Sequence, residues 1–174
     1  MNNLFVGINE LDKVLNEFVN PFGVYVEFGS DFVYWVEEEK IEYSLIMPEQ
    51  GRDYFMENFR VLAPDIQCDP FLASFMHELG HHMTNDLYDD NDEAAYIYDT
   101  RQYLAKALND KTDSEEKLYR QYFNLPDEMA ATCWAIEYMR EHSEKVAKFW
   151  NKVQNAIMNF YKLNGIEVSE VADC

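Results

Sequence analysis

The feature that most constrains this chain is a pair of histidines set one helical turn apart in an otherwise apolar segment. His77 and His81 occupy positions i and i+4 of the run His-Glu-Leu-Gly-His. Asp69 and Pro70 precede this run and suit the N-cap and the first position of a helix. The apolar residues at helical spacing around the pair are Phe71, Leu72, Phe75, Met76 and Leu79. They predict a buried helix over about 70–84, and a buried imidazole needs a polar partner.

A metal ion is the partner that this spacing favours. Imidazoles at i and i+4 lie side by side on one helix face, so that a single tetrahedral zinc ion can bridge them. Glu78 is turned by about 100° from His77 around the helix, which places its carboxylate beside the ion without ligating it. A carboxylate there can take a proton from zinc-activated water and return it to a leaving amine. We therefore expect His77 and His81 to bind Zn²⁺ and Glu78 to act as the catalytic base.

The third ligand must come from another segment, because a catalytic zinc takes three protein ligands and keeps a fourth position open. Glu128 is the preferred candidate. Ala131 and Ala135 follow it at i+3 and i+7, on nearly the same face of a helix predicted over about 126–141. A face lined with alanine lets this helix lie close to the helix of the two histidines. The sequence thus predicts a metal site of His77, His81 and Glu128.

Other residues remain open as the third ligand. Glu93, in the acidic stretch after the histidine helix, is the main rival of Glu128. His142 lies on the same predicted face as Glu128 but roughly 21 Å further along the helix. Glu137 points to the opposite side of that helix.

Four positions near these motifs are assigned supporting roles. Gly80 is a poor helix former, and we expect it to admit the close approach of another backbone or of a substrate. His82 points to another side of the helix than His81, so we expect it to be structural or exposed. Stabilisation of a developing oxyanion often uses a tyrosine. Tyr88 and Tyr138 are candidates among twelve tyrosines.

The rest of the chain predicts a mainly helical α+β domain. One amphipathic helix is expected over about 7–19, and helices over about 93–108, 115–123 and 143–163 are expected later in the chain. Between residues 22 and 47, three segments rich in β-branched and aromatic residues alternate with turn residues. They predict a small antiparallel sheet, over about 24–28, 32–37 and 41–47, which packs beside the histidine helix.

Composition limits the class of protein and its partners. With 174 residues and 48% hydrophobic content, a single domain over 1–174 is expected. No apolar run is long enough to span a membrane and no leader is evident, so we expect a cytoplasmic protein. The net charge of −19 argues against direct nucleic-acid binding. Three widely spaced cysteines suggest neither disulfides nor a thiolate zinc site, and Cys133 is expected to be a core residue of its helix.

The paired motifs resemble those of the ImmA/IrrE family of zinc metallopeptidases. His77-Glu78-Leu79-Gly80-His81 matches the first family motif, and Glu128 with Ala131, Trp134 and Ala135 matches the second, so that the resemblance covers roughly 70–142. Thr132 stands where the family usually has Asn or Asp. The stretch between the motifs is longer than in the family pattern.

This resemblance implies a gluzincin-like fold of the zincin type, with a small sheet beside two site helices. It implies His77, His81 and Glu128 as zinc ligands and Glu78 as the base of an endopeptidase. It also implies a protein encoded with phage or mobile elements that cleaves a separate transcriptional repressor.

Two other functions stay open. The first is a zinc-binding regulatory or interaction protein without proteolytic activity. The second is an acidic protein that imitates nucleic acid.

Overall fold

Seven helices and a small sheet make up the described part of the chain. The structure is a computed structural model that describes residues 7–45, 49–88 and 91–166. The helices are α1 (Ile8–Val19), α2 (Glu49–Leu62), α3 (Pro70–Met83), α4 (Asn91–Asp110), α5 (Glu115–Tyr122), α6 (Pro126–Glu141) and α7 (Ser143–Leu163). The strands are β1 (Tyr25–Phe28), β2 (Val33–Trp35) and β3 (Lys40–Tyr43), and short 3₁₀ helices cover Asn20–Phe22 and Asn85–Tyr88. The predicted mainly helical α+β class is confirmed.

The sheet is mixed, so the prediction of an antiparallel sheet is wrong for one of its two strand pairs. Its order is β1-β3-β2, in which β3 is antiparallel to β2 but parallel to β1. The chain between β1 and β2 has to span two strand spacings, roughly 10 Å, and four residues suffice for that. The Glu42 carboxylate of β3 accepts a hydrogen bond from the Ser30 peptide nitrogen at 2.9 Å, which holds this connection across the end of β3. The end of the predicted third segment, at residues 46 and 47, lies outside the described residues.

The two outer strands of this sheet differ in what covers their edges. On β1, the Asn16 side-chain amide of α1 takes both backbone groups of Val26. Its nitrogen donates to the carbonyl at 2.7 Å, and its oxygen accepts from the peptide N–H at 2.8 Å. On β2, the Tyr34 peptide N–H donates to the Glu78 carboxylate of α3. The edge of β2 therefore faces the residues of the predicted site.

Helix α3 runs through the main core, as its apolar flanks predict. The Asp69 carboxylate accepts the Phe71 N–H at 2.8 Å, and Pro70 occupies the first turn. Every residue of α3 from Phe71 to His81 is buried. The predicted start and burial of this helix are confirmed.

Helix α6 lies directly against α3, and the contact is closest at Gly80. A Cβ atom built on Gly80 would lie 2.3 Å from the Ala131 carbonyl oxygen of α6, so only glycine fits there. Gly80 thus admits a neighbouring backbone, which is one of the two uses predicted for it.

His82 ties α3 to the chain around the sheet. Its Nε2 lies 2.9 Å from the Phe22 carbonyl oxygen, and its Nδ1 lies 2.9 Å from the Tyr34 hydroxyl. Since a carbonyl only accepts, Nε2 carries the proton and the Tyr34 hydroxyl donates to Nδ1. The expected structural role of His82 is confirmed.

Helix α2 was not predicted from the sequence. Its buried residues Phe55, Met56 and Phe59 contribute to the main core.

Cys133 lies on α6 as expected, but its side chain is exposed, so the prediction of a core residue there is wrong.

The first and the last described helices pack together. The rings of Phe18 on α1 and Phe149 on α7 stack with their centroids 3.9 Å apart.

In the described residues, no helix has both the length and the apolar character that crossing a bilayer would require.

Candidate metal centre

Helix α3 presents both histidines to one point inside the fold. The Nε2 atoms of His77 and His81 lie 3.1 Å apart, as expected for imidazoles one helical turn apart. Both rings are buried, and an edge of the Phe55 ring packs on His77 with centroids 5.2 Å apart. The two nitrogens therefore face each other in an environment with little solvent.

Helix α6 brings the Glu128 carboxylate to the same point. Glu128 Oε2 lies 3.1 Å from His77 Nε2, and Oε1 lies 3.7 Å from His81 Nε2. Ligand atoms about 2.0–2.1 Å from a tetrahedral zinc ion lie roughly 3.3 Å apart. The spacing of the three side chains thus fits one small metal ion, and His77, His81 and Glu128 together form a group that could hold one.

A threonine on α6 fixes the tautomer of His77. The Thr132 hydroxyl lies 2.8 Å from the Glu128 backbone carbonyl and 3.0 Å from His77 Nδ1. Because the carbonyl can only accept, the hydroxyl hydrogen goes to it, and His77 Nδ1 must donate to the Thr132 oxygen. A neutral His77 then has its Nε2 lone pair directed at Glu128.

This bonding pattern favours a cation between the three side chains. A neutral His77 Nε2 and the Glu128 Oε2 are both acceptors, and their 3.1 Å approach is favourable only with a metal ion or a proton between them. His81 Nδ1 is buried and has no hydrogen-bond partner in the described part of the chain. The polar contacts of the His81 ring, to His77 and Glu128, are therefore made by its Nε2. The donor set matches the pair of histidines and one glutamate found at catalytic zinc sites.

The electrostatics of Glu128 agree with a site for a cation. Burial by itself would raise the pKa of Glu128, and its side chain is only 2% exposed. When a proton lies between the imidazoles and the carboxylate, the donors and the positive charge of His77 and His81 outweigh burial and hold the pKa of Glu128 well below its usual range. The carboxylate is thus ionised and attracts positive charge.

Glu78 lies beside this group on α3. Its pKa is raised to about 7, chiefly by burial; His77 lowers it, the nearby Glu128 carboxylate raises it, and the Tyr34 peptide N–H and Arg101 lower it. A carboxyl group with such a pKa can both accept and release a proton near neutral pH.

Two residues of the segment between the motifs also contact Glu128, and both were missed in the sequence. The Arg101 guanidinium of α4 donates to the Glu128 Oε1 and, at 2.5 Å, to the Asp127 carboxylate. Burial and the nearby Glu128 carboxylate raise the pKa of Tyr122 of α5, so its hydroxyl stays protonated beside that carboxylate. Nothing in the local pattern around Arg101 or Tyr122 marks these contacts, because both depend on how α4 and α5 pack.

The other candidate ligands lie elsewhere. Glu93 is on α4 and does not belong to the histidine–glutamate group. His142 ends α6, where its ring packs on Tyr138 with centroids 4.4 Å apart. Glu137 is exposed on α6.

Of the two tyrosines predicted to stabilise an oxyanion, Tyr138 lies away from the candidate metal ligands. Tyr138 stacks on Trp134 with centroids 5.0 Å apart, within an aromatic group that includes Phe22. The side chain of Tyr88 lies outside the described residues. Tyr122 is the tyrosine that the structure brings to Glu128.

A cavity of about 340 Å³ opens onto the metal centre. Its lining includes His77, Glu78, His81 and Glu128, together with Tyr34 of β2 and Phe123 after α5. The reactive side chains are thus reachable by a small segment of another molecule.

Comparison with known proteins gives this chain no relative. It matches no family model, no curated protein and no solved structure.

Proposed function

We propose that the chain is a zinc-dependent endopeptidase. The observation that carries this proposal is the convergence of His77, His81 and Glu128 on one point, with the Glu78 carboxyl group beside them and a cavity in front. Two imidazoles and a carboxylate are the ligands that hydrolytic zinc sites use, with one position left for water or substrate.

The choice of zinc rests on the chemistry around the ligands. Two histidines and one carboxylate also bind ferrous iron in oxygenases. An oxygenase does not need a carboxyl base next to the metal, whereas hydrolysis does, and Glu78 supplies one. The same arrangement on one helix is the His-Glu-x-x-His pattern of zinc peptidases.

Glu78 does the proton chemistry in this proposal. Zinc held by the three side chains would activate a water molecule and polarise the scissile carbonyl. The Glu78 carboxylate takes the proton of the attacking water and then protonates the leaving amine.

The sheet supports a peptide as the substrate. Strand β2 lies at the edge of the described sheet, and its residues 33 and 34 line the cavity. Extended peptides add to such edges through backbone hydrogen bonds. Asn16 occupies the backbone groups of Val26 on β1, whereas β2 borders the cavity and meets Glu78 through the Tyr34 backbone. We therefore assign the substrate to β2.

The identity of the substrate follows from the resemblance to the ImmA/IrrE family. On this basis the substrate is a separate transcriptional repressor, cleaved in the cytoplasm of a cell that hosts a phage or another mobile element. The net charge of −19 suits a contact with the repressor protein rather than with its DNA.

Metal analysis and a peptide assay test this proposal together. Purified protein is expected to contain about one zinc per chain, and His77→Ala is expected to abolish it. A peptide library digested with the protein and read by mass spectrometry is expected to show cleavage that a chelator stops. Glu78→Gln is expected to keep the zinc and lose the cleavage.

The matched control is Glu137→Gln, the same change at an exposed position of α6, which is expected to keep both zinc and activity. Iron in place of zinc, or cleavage that survives Glu78→Gln, would refute the proposed mechanism. Zinc without cleavage would favour a regulatory metal-binding protein.

A further inference from the structure

Helices α4 and α5 form a hairpin between the two metal-binding helices in the chain. They pack on each other through Leu104, Ala107 and Leu118, a small apolar cluster separate from the main core. Tyr122, at the end of α5, packs against both this cluster and the main core. The hairpin thus has its own apolar contacts, and its end rests against the metal centre.

Arg101 of α4 connects the hairpin to two neighbouring carboxylates of α6. Its Nη2 donates to both Asp127 and Glu128, and its guanidinium lies over the Tyr122 ring, 5.4 Å from the centroid. Asp127 and Glu128 are almost completely buried. Two adjacent buried carboxylates repel each other, and removing a cation that they share leaves uncompensated charge in a medium of low polarity.

The position of Arg101 determines how Glu128 faces the histidines. Because the guanidinium takes Oε1, the other oxygen, Oε2, lies 3.1 Å from His77 Nε2. The protonated Tyr122 hydroxyl, also from the hairpin, lies beside the same carboxylate, and its ring lies under the Arg101 guanidinium. Hydrogen bonds that orient a ligating carboxylate typically change metal affinity by about 10–100-fold.

We propose that the α4–α5 hairpin is a clasp for the metal centre, in which Arg101 and Tyr122 are positioning residues that hold the Glu128 carboxylate with its Oε2 facing His77. The inference rests on the metal binding of the proposed function and not on its proteolytic step. The long stretch between the two motifs is, on this view, a requirement for tight metal binding.

Metal titrations of the full chain test the clasp. Zinc affinity is measured by competition with a chelator for the wild type, Arg101→Met and Tyr122→Phe, with circular dichroism to check folding. Arg101→Met is expected to bind zinc about 10–100-fold more weakly, and Tyr122→Phe several-fold more weakly. The Co²⁺-loaded variants are expected to differ from the wild type in their visible absorption, because the orientation of Glu128 changes the ligand field.

Arg120→Met is the matched control. It removes the same charge from α5, where Arg120 pairs with Glu57 and Glu116 at 3.1 and 3.2 Å away from the metal centre. This variant is expected to keep the zinc affinity and the Co²⁺ spectrum of the wild type.

The outcomes separate the clasp from the peptidase. If Arg101→Met and Tyr122→Phe fold and bind zinc with the affinity of the wild type, the clasp is refuted. It is also refuted if Arg101→Met binds zinc more tightly, because Arg101 would then compete with the metal for Glu128. If Arg101→Met does not fold, Tyr122→Phe decides. A wild type that binds zinc but cleaves nothing refutes the peptidase and leaves the clasp standing, whereas a wild type without zinc refutes both.

Discussion

Gly80 and Ala131 touch backbone to backbone, and this contact sets the distance between α3 and α6, the helices that carry the candidate metal ligands. A methyl group on residue 80 would lie 2.3 Å from the Ala131 carbonyl oxygen and 2.9 Å from its Cα. Neither atom can move without moving α6. Since α6 also bears Glu128 and Thr132, the contact controls the geometry of the site as well as the packing.

Gly80→Ala is therefore expected to weaken zinc binding by at least about tenfold and to lower the free energy of unfolding by about 1–3 kcal/mol through overpacking. Isothermal titration and chemical denaturation measure the two effects. Gly51→Ala is the control, because a Cβ there meets nothing closer than the Tyr119 hydroxyl at 3.7 Å. It is expected to be neutral or to stabilise α2 by up to about 1 kcal/mol. Wild-type zinc affinity in Gly80→Ala would contradict the argument.

Thr132→Val is expected to weaken zinc binding by about 10–100-fold. The change keeps the shape of the side chain but leaves the buried His77 Nδ1 proton without its acceptor, at a cost of about 1–3 kcal/mol. Thr132→Ser keeps the hydroxyl and is expected to bind zinc nearly as well as the wild type. Equal affinities of the valine and serine variants would show that Thr132 does not orient His77.

Tyr34→Phe is expected to reduce the free energy of unfolding by about 1 kcal/mol without changing the zinc content. The change removes only the hydroxyl that donates to His82 Nδ1 at 2.9 Å, and it leaves the backbone of β2 intact. Chemical denaturation and metal analysis are the measurements. Tyr25→Phe on β1, where the side chain is 46% exposed, is the control and is expected to change neither quantity.

The reactivity of Cys68 is expected to depend on pH. Burial, with a smaller contribution from Asp69, raises the pKa of the Cys68 thiol to about 11, so roughly one thiol in a thousand is ionised at pH 8. The neutral thiol is the form that folding favours. Burial of the neutral Cys68 thiol contributes its full share to the free energy of unfolding below about pH 8.5, the pKa of a cysteine in the unfolded chain. This contribution is lost as the pH rises toward 11.

Alkylation in a Cys174→Ser background, followed by peptide mass spectrometry from pH 7 to 10, checks this. The exposed Cys133 is expected to react first at every pH. Rapid labelling of Cys68 at pH 7 would mean that the connection between α2 and α3 opens readily.

The local parts of the fold could be predicted from the sequence because their signals lie within one turn of helix. Asp69 and Pro70 mark the start of α3, and Pro126 marks the start of α6. The predicted use of Gly80 also followed from local pattern, since a glycine in an otherwise apolar helix indicates a close neighbour. Helix α2 had a usable signal as well, in the helical spacing of its buried residues Phe55, Met56 and Phe59.

Long-range pairing could not be predicted in the same way. The order β1-β3-β2 depends on where the connection before β2 crosses the sheet, and the alternating pattern of each strand is the same for parallel and antiparallel neighbours. The contact of Arg101 with Glu128 joins residues far apart in the chain, and an isolated arginine on an acidic helix has the pattern of an ordinary surface residue.

The packing of α1 against α7 has a consequence for the biosynthesis of the protein. The apolar face of α1, with Leu11, Leu15 and Phe18, leaves the ribosome well before α7, yet the ring that stacks on Phe18 belongs to Phe149 on α7. At about 5–20 residues per second, the nascent helix waits on the order of ten seconds for this partner. Until α7 is made, β1 and α3 can cover part of this apolar face, but Phe18 lacks the ring that stacks on it in the folded chain.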